Sequence, residues 1–285
     1  MTTNPRPGRT PMRWPQGLSG LTLVGLTLAA AAVLGGCASG GGAMAGRGAP
    51  TVEPLTESDE PEARKRARIR LELASSYFEN GQTTVALDEI KQSLAADPTF
   101  GSAHVLRGLV YMRLNELPLA DESFRRALQL NPRDADAMHN YGWFVCQQGR
   151  YQEAVDLFAR ALASPLYGGQ AKTLMAKGIC QTRMGRLQDA ETSFARSYEL
   201  DAGNPITGYN LASLLYGRGE YTRAQFYIRR LNNSELANAE TLWLGIKVER
   251  RLNNTEAQEQ LAQQLSRRFP KSREWSSYQR GAFDE

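Results

Sequence analysis

Most of the chemistry this 285-residue chain can offer lies in three cysteines and two histidines. A thiolate is a nucleophile and a metal ligand, and an imidazole moves protons near neutral pH. Cys146 with His139 supplies only two metal ligands, where zinc takes at least three from protein. His139 near Asp136 mimics part of an acid–base pair, yet no nucleophile motif such as G-x-S-x-G accompanies it. No phosphate-cradling or dinucleotide glycine pattern is present. Three cysteines are too few for a disulfide framework. Cys146 and Cys180 can pair with each other or stay as buried thiols, and sequence alone leaves both open. These residues predict a binding protein with no cofactor, no metal and no small-molecule substrate, and not an enzyme.

Cys37 has a different setting. Residues 1–17 are polar and carry only positive charge, from Arg6, Arg9 and Arg13. Residues 18–34 are apolar or small, and Gly35 and Gly36 lead into Cys37. Basic, apolar and small segments in that order describe a secretory signal peptide over residues 1–36. The run is about as long as a short membrane span. Ser19, Gly20, Thr22, Gly25 and Thr27 weaken it and no positive stop follows, so cleavage is expected rather than anchoring. The junction Leu34-Gly35-Gly36-Cys37 resembles a bacterial lipobox. The resemblance implies a diacylglyceryl group on the Cys37 sulfur, cleavage before Cys37 and acylation of the new amino end. Each buried methylene contributes about 0.8 kcal/mol and a single chain binds only marginally, so stable anchoring rests on several chains. Ala38 after the cysteine implies sorting to the outer membrane, on its periplasmic face. Residues 37–62, rich in Gly, Ala, Pro, Thr, Ser and Glu, read as a flexible lipidated tether with a reach of roughly 25–30 Å.

The formal net charge is +4, and Arg6, Arg9 and Arg13 carry three of those charges, so the chain from Cys37 onward carries +1. A nucleic-acid binder shows a basic stripe; this balance predicts no nucleic-acid partner.

From residue 67 the chain repeats. A Gly or Ala is followed twelve residues later by Ala86, Ala120, Ala154, Ala190, Ala224 or Ala257, and then by an apolar residue four further on. Units lie near 67–100, 101–134, 135–168, 171–204, 205–237 and 238–271, with starts 34, 34, 36, 34 and 33 residues apart. Within a unit the apolar residues recur at helical spacing. Gly81, Gly149, Gly185 and Gly219 stand where first helices end. Pro98, Pro132, Pro205 and Pro270 follow second helices. Period and pattern resemble the tetratricopeptide repeat. The resemblance implies an all-α chain: a right-handed α-solenoid of about six helix-turn-helix repeats over residues 63–285. The longer step at Ser164–Gly169 predicts a distorted connection, and Trp275 and Tyr278 predict a C-terminal cap.

Repeats of this family line a concave groove with set positions of each first helix. Carried onto this chain, those positions are Leu71 and Phe78; Val105, Leu109 and Met112; His139 and Trp143; Met175 and Ile179; Tyr209 and Tyr216; and Leu242 and Ile246. Arg183 and Arg250 follow on the fourth and sixth units. Asn140 and Asn210 sit one helical step away, where an amide can bond a peptide backbone or satisfy a neighbouring turn. A groove of this kind suits a polypeptide segment.

Longer stretches narrow the resemblance. Leu162-Ala163-Ser164-Pro165-Leu166-Tyr167, Gly178-Ile179-Cys180, Tyr209-Asn210-Leu211-Ala212, Arg218-Gly219-Glu220-Tyr221, the run from Leu242 to Glu249 and Arg267-Arg268-Phe269-Pro270 occur in this order. Together they resemble the type IV pilus biogenesis/stability lipoprotein family (PilF/PilW type). The resemblance implies a pilotin that binds the type IV pilus secretin in the periplasm and promotes its assembly at the outer membrane. A scaffold for outer-membrane protein assembly or for cell-envelope enzymes is the alternative, and the copurifying partner separates the two.

Overall fold

The computed structural model describes residues 59–284; the signal segment, Cys37 and most of the tether lie outside the described residues. Six helix pairs follow one another: α1 (Glu62–Glu79) with α2 (Thr83–Ala96), α3 (Gly101–Arg113) with α4 (Leu117–Leu130), α5 (Ala135–Gln147) with α6 (Tyr151–Leu162), α7 (Gln170–Arg183) with α8 (Leu187–Leu200), α9 (Pro205–Gly217) with α10 (Tyr221–Asn232), and α11 (Ala239–Arg251) with α12 (Thr255–Arg268). A short α13 (Arg273–Gln279) closes the series. No strand occurs among the described residues, and none of their helices is long and apolar enough to cross a membrane.

One packing rule builds the first five pairs, and in the sixth Gly245 faces Leu261 and the Asn232 side chain. In three units a glycine of the first helix faces a phenylalanine of the second. A Cβ added at Gly108, Gly142 or Gly178 would stand 2.7, 2.8 or 2.7 Å from the ring of Phe124, Phe158 or Phe194. The first and fifth units place Ala74 with Ile90, and Ala212 with Ile228, at the same register, all four fully buried. The larger the side chain on one helix, the smaller its counterpart on the other, and the interior stays close-packed. Ala86, Ala120, Ala154, Ala190 and Ala224 are also 0 % exposed and let the second helix approach. Ala257 is half-buried, since α12 has no further unit behind it.

The turn inside each pair is also repeated. Gly81, Gly149, Gly185 and Gly219 adopt φ between +76° and +80°. Asn115 and Asn253 take the same place in the second and sixth units at φ 61° and 56°. Asparagine is the side-chain-bearing residue best suited to this region. A backbone bond reaches back five residues at every turn, from Gln82 N–H to Tyr77 C=O (2.8 Å) through Asn254 N–H to Glu249 C=O (2.9 Å), and satisfies carbonyls that the helix end would leave unpaired.

Between the third and fourth pairs, α6 stops early and Ser164–Gly169 bridge to α7. Tyr167 folds back and is buried. Its hydroxyl lies 2.9 Å from Thr173 Oγ1, which lies 2.8 Å from His139 Nδ1. This chain ties the connection to α7 and α5. Burial, reinforced by the Lys172 charge, pushes the His139 imidazole from 6.5 down to about 4. Burial also lowers His104 on α3.

Two outcomes follow from this packing. Gly142→Ala pushes a methyl group into Phe158 and lowers stability by about 1–3 kcal/mol, whereas Gly142→Ala combined with Phe158→Ile, the arrangement used in the first and fifth units, recovers most of that loss. Denaturant unfolding of the single and double variants reads the coupling, and strict additivity would refute the size rule. The second concerns pH. The unfolded chain protonates its histidines near 6.5, while folded His139 resists protonation down to about 4. Stability therefore falls as pH drops through that window, by roughly 2–3 kcal/mol for His139. Unfolding curves of the parent and His139→Gln proteins from pH 7 to 4 check this: the variant loses the lower part of the slope.

Candidate functional site

Consecutive first helices touch one another, α1 with α3, α3 with α5, α5 with α7, α7 with α9 and α9 with α11, while no two successive second helices do. The first helices therefore form the tighter, inner wall of the stack and the second helices the outer one. The inner wall is the groove.

Twelve of the fifteen sequence-predicted groove residues are half-buried there: Leu71, Phe78, Leu109, Met112, His139, Asn140, Trp143, Met175, Ile179, Tyr209, Asn210 and Tyr216. Each keeps a face toward solvent while its remainder packs on neighbouring helices. Val105 is 9 % exposed and forms the floor of a hollow of about 300 Å³ shared with Leu71 and Leu109, with Asp134 and Asp136 on its margin. Leu242 and Ile246 correct the prediction. Both are fully buried, in a cluster with Trp275 and Tyr278 of α13 and with Phe283 beyond it. The chain's own end covers the last unit, and the open groove stops at Tyr209 and Tyr216.

The asparagines are partly engaged. Asn140 Nδ2 donates to Asp136 C=O (2.8 Å) and Asn210 Nδ2 to Ile206 C=O (2.7 Å), each one turn back on its own helix. Each amide retains its oxygen and a second N–H for an incoming chain. His139 does not: its ring is held by Thr173 and packs 5.9 Å from Phe158. The acid–base pair suggested by Asp136 and His139 does not form, because Asp136 accepts from Lys172 at 3.0 Å.

Cations lie on the aromatic rings of the wall. The Arg113 guanidinium stands 3.7 Å from the Phe78 ring centre and Arg183 stands 6.0 Å from Trp143. Lys247 sits between Tyr216 (5.4 Å) and Trp243 (5.7 Å), and burial lowers its pKa. Arg250, predicted beside the groove, lies 4.0 Å over Phe283 of the terminal cover. Each stacked cation is worth roughly 0.5–2 kcal/mol, depending on how far it is shielded from water. It also fixes the ring beneath it.

Three features of the stack were left open or missed by the sequence reading. Cys146 on α5 and Cys180 on α7 form a disulfide, with Cα atoms 5.9 Å apart. Closing a loop of 34 residues stabilises by about 3–4 kcal/mol on chain-entropy grounds. Asp121 accepts from Tyr141 and Arg150 of the following unit; burial raises its carboxyl, and those bonds outweigh burial and hold it below the usual range. Glu191, at the same register two units on, accepts from Arg218 and Arg223. The shared register of the two acids was the available signal. Glu249, 1 % exposed, is held by Arg229 (2.6 and 3.0 Å), Gln225 (2.8 Å) and Asn254 (3.0 Å). Unpairing so buried a carboxylate costs several kcal/mol. Among the described residues no group of three or more His, Cys, Asp or Glu stands ready to hold a metal.

Comparison with known proteins agrees with this architecture. The tetratricopeptide repeat model matches residues 71–120, 105–171 and 147–205. The type IV pilus assembly protein PilF of Pseudomonas aeruginosa PAO1 is 29 % identical over 209 residues, which are 73 % of this chain and 83 % of the relative. Its solved structure superposes with a TM-score of 0.71 at 28 % identity, over 78 % of this chain and 100 % of that one. The crystal structure of PilW, described as a widely conserved type IV pilus biogenesis factor, gives 0.68 at 31 % identity over 74 % and 97 %. The chain belongs to the family of tetratricopeptide-repeat type IV pilus biogenesis proteins that includes PilF and PilW.

Proposed function

We propose that this protein is a pilotin: a lipid-anchored binding protein whose groove captures a segment of the type IV pilus secretin and assists its assembly at the outer membrane. The observation that carries the reading is the likeness to PilF and PilW over about three quarters of the chain, combined with an open wall of half-buried apolar and aromatic side chains. Such a surface is too apolar to be left idle, and it has the length and backbone-bonding amides to hold an extended segment. The disulfide supports export, since cytosolic thiols are kept reduced. Cys37, the proposed lipidation site, lies outside the described residues. Lipid on its sulfur would confine the groove to the membrane surface, and tethering raises the effective concentration of a partner arriving there.

The work done is binding, not catalysis. His139 on the wall is tied to Thr173, whose hydroxyl is fully buried and bonded to Tyr167 as well, so the pair is closed to a substrate.

The test is genetic and biochemical. A strain lacking the gene loses the heat-resistant secretin multimer, and the parent gene restores it. Cys37→Ser leaves the domain folded but releases it from the outer-membrane fraction. Cys37→Ser protein that still fractionates with the outer membrane and still supports pili would overturn lipid anchoring. Trp143→Ala or Tyr209→Ala weakens capture of purified secretin at least tenfold, a centre-of-interface effect, and lowers affinity more than stability. An unchanged affinity with a lowered melting temperature would assign both rings to packing alone. Copurification of an envelope enzyme in place of secretin would favour the scaffold reading.

A further inference from the structure

The fourth residue of each unit lies on a first helix, near its start in all units but the first. It is Arg70, His104, Met138, Leu174 and Thr241 in five units, and Gly208 in the fifth. In the fifth unit a hollow lies beside this glycine. Its volume is about 170 Å³, several times the roughly 30 Å³ of one water molecule. Tyr198, Pro205, Tyr227, Leu231 and Leu236 line it together with Arg230, and no groove residue takes part.

The hollow is equipped for more than an apolar group. The Tyr198 hydroxyl is buried and has no hydrogen-bond partner. A buried hydroxyl left unpaired costs free energy that a ligand acceptor would recover. Arg230 lies over the Tyr198 ring, 5.8 Å from its centre, and forms no ion pair among the described residues. Among the described residues it is the only charged one in the lining, and none of their carboxylates shares the hollow. Two donors without acceptors thus stand beside a cavity sized for one aliphatic side chain. The rim is apolar as well. Leu236 is 52 % exposed and Phe226 is 63 % exposed, its ring edge-on to Tyr227 at 5.1 Å. Exposed phenylalanine beside an apolar pocket marks an interaction surface.

We propose that the hollow beside Gly208 is a second protein-docking site, which takes the carboxy-terminal aliphatic residue of a partner chain. The aliphatic side chain fills the space that Gly208 leaves. The terminal carboxylate accepts from the Tyr198 hydroxyl and pairs with Arg230, a charge-assisted arrangement. Because the site shares no residue with the groove, the protein can hold two chains at once.

N-acetyl-L-leucine is the minimal probe, and N-acetyl-L-leucinamide is its uncharged control. Titration into isotope-labelled protein, followed by amide chemical shifts, should move Gly203, Leu231 and Ser234 with saturation in the millimolar range. The amide control should bind at least tenfold more weakly. An added Cβ at Gly208 meets nothing closer than 3.8 Å, so Gly208→Leu fills the hollow with the fold intact and should abolish the shifts. Arg230→Gln and Tyr198→Phe should each weaken binding severalfold while leaving the remaining spectrum in place. Equal binding of acid and amide would overturn the carboxylate assignment. An absence of pocket shifts with either probe, or shifts that survive in Gly208→Leu, would overturn the site.

Discussion

The close approach of two helices within each pair sets everything else in this molecule. A glycine opposite a phenylalanine, or an alanine opposite an isoleucine, fills the helix contact although the residues change. Pairs packed in this way stack so that each first helix touches the next and six of them form one continuous wall. No unit could bury its apolar stripe alone, so the wall and the core arise together. The groove is what remains of the first helices after each has packed against its partner and its neighbours. That is why its residues are half-buried rather than free.

Much of this was legible in the residues. The period, the small residues at helix contacts and the glycines at turns all reflect local rules, and local rules leave a mark at fixed spacing. Asn115 and Asn253 were harder to read because two residue types satisfy one backbone requirement. Leu242 and Ile246 were assigned to the groove by register, and register is blind to a segment that is not a repeat: α13 and Phe283 return over the last unit. The disulfide was undecidable for a related reason. Cys146 and Cys180 stand two positions apart in register on neighbouring first helices, and only the packing of one unit on the next brings their Cα atoms to 5.9 Å. The chain from Tyr167 through Thr173 to His139 likewise depends on how an irregular connection folds back.

Charge is distributed with a similar logic. Asp121, Glu191 and Glu249 each receive donors from an adjoining unit, so ion pairs reinforce the joints between units as well as the units themselves. On the groove wall Arg113, Arg183 and Lys247 rest on rings, while Lys172 pairs with Asp136. A ring so covered keeps its orientation and offers its other surface to a partner, with a positive charge at its edge.

The cross-link at the centre of the stack has a mechanical meaning. A protein held at one end while its partner is drawn elsewhere experiences tension along its backbone, and arrays of repeats yield to tension one unit at a time. The sulfur–sulfur bond bypasses the residues between Cys146 and Cys180, which are 34 positions apart. Fully drawn out, those residues would add about 115 Å of length. With the bond in place that slack is never released. The middle of the molecule behaves as a strap of fixed length, and any give under strain must come from the two flanks.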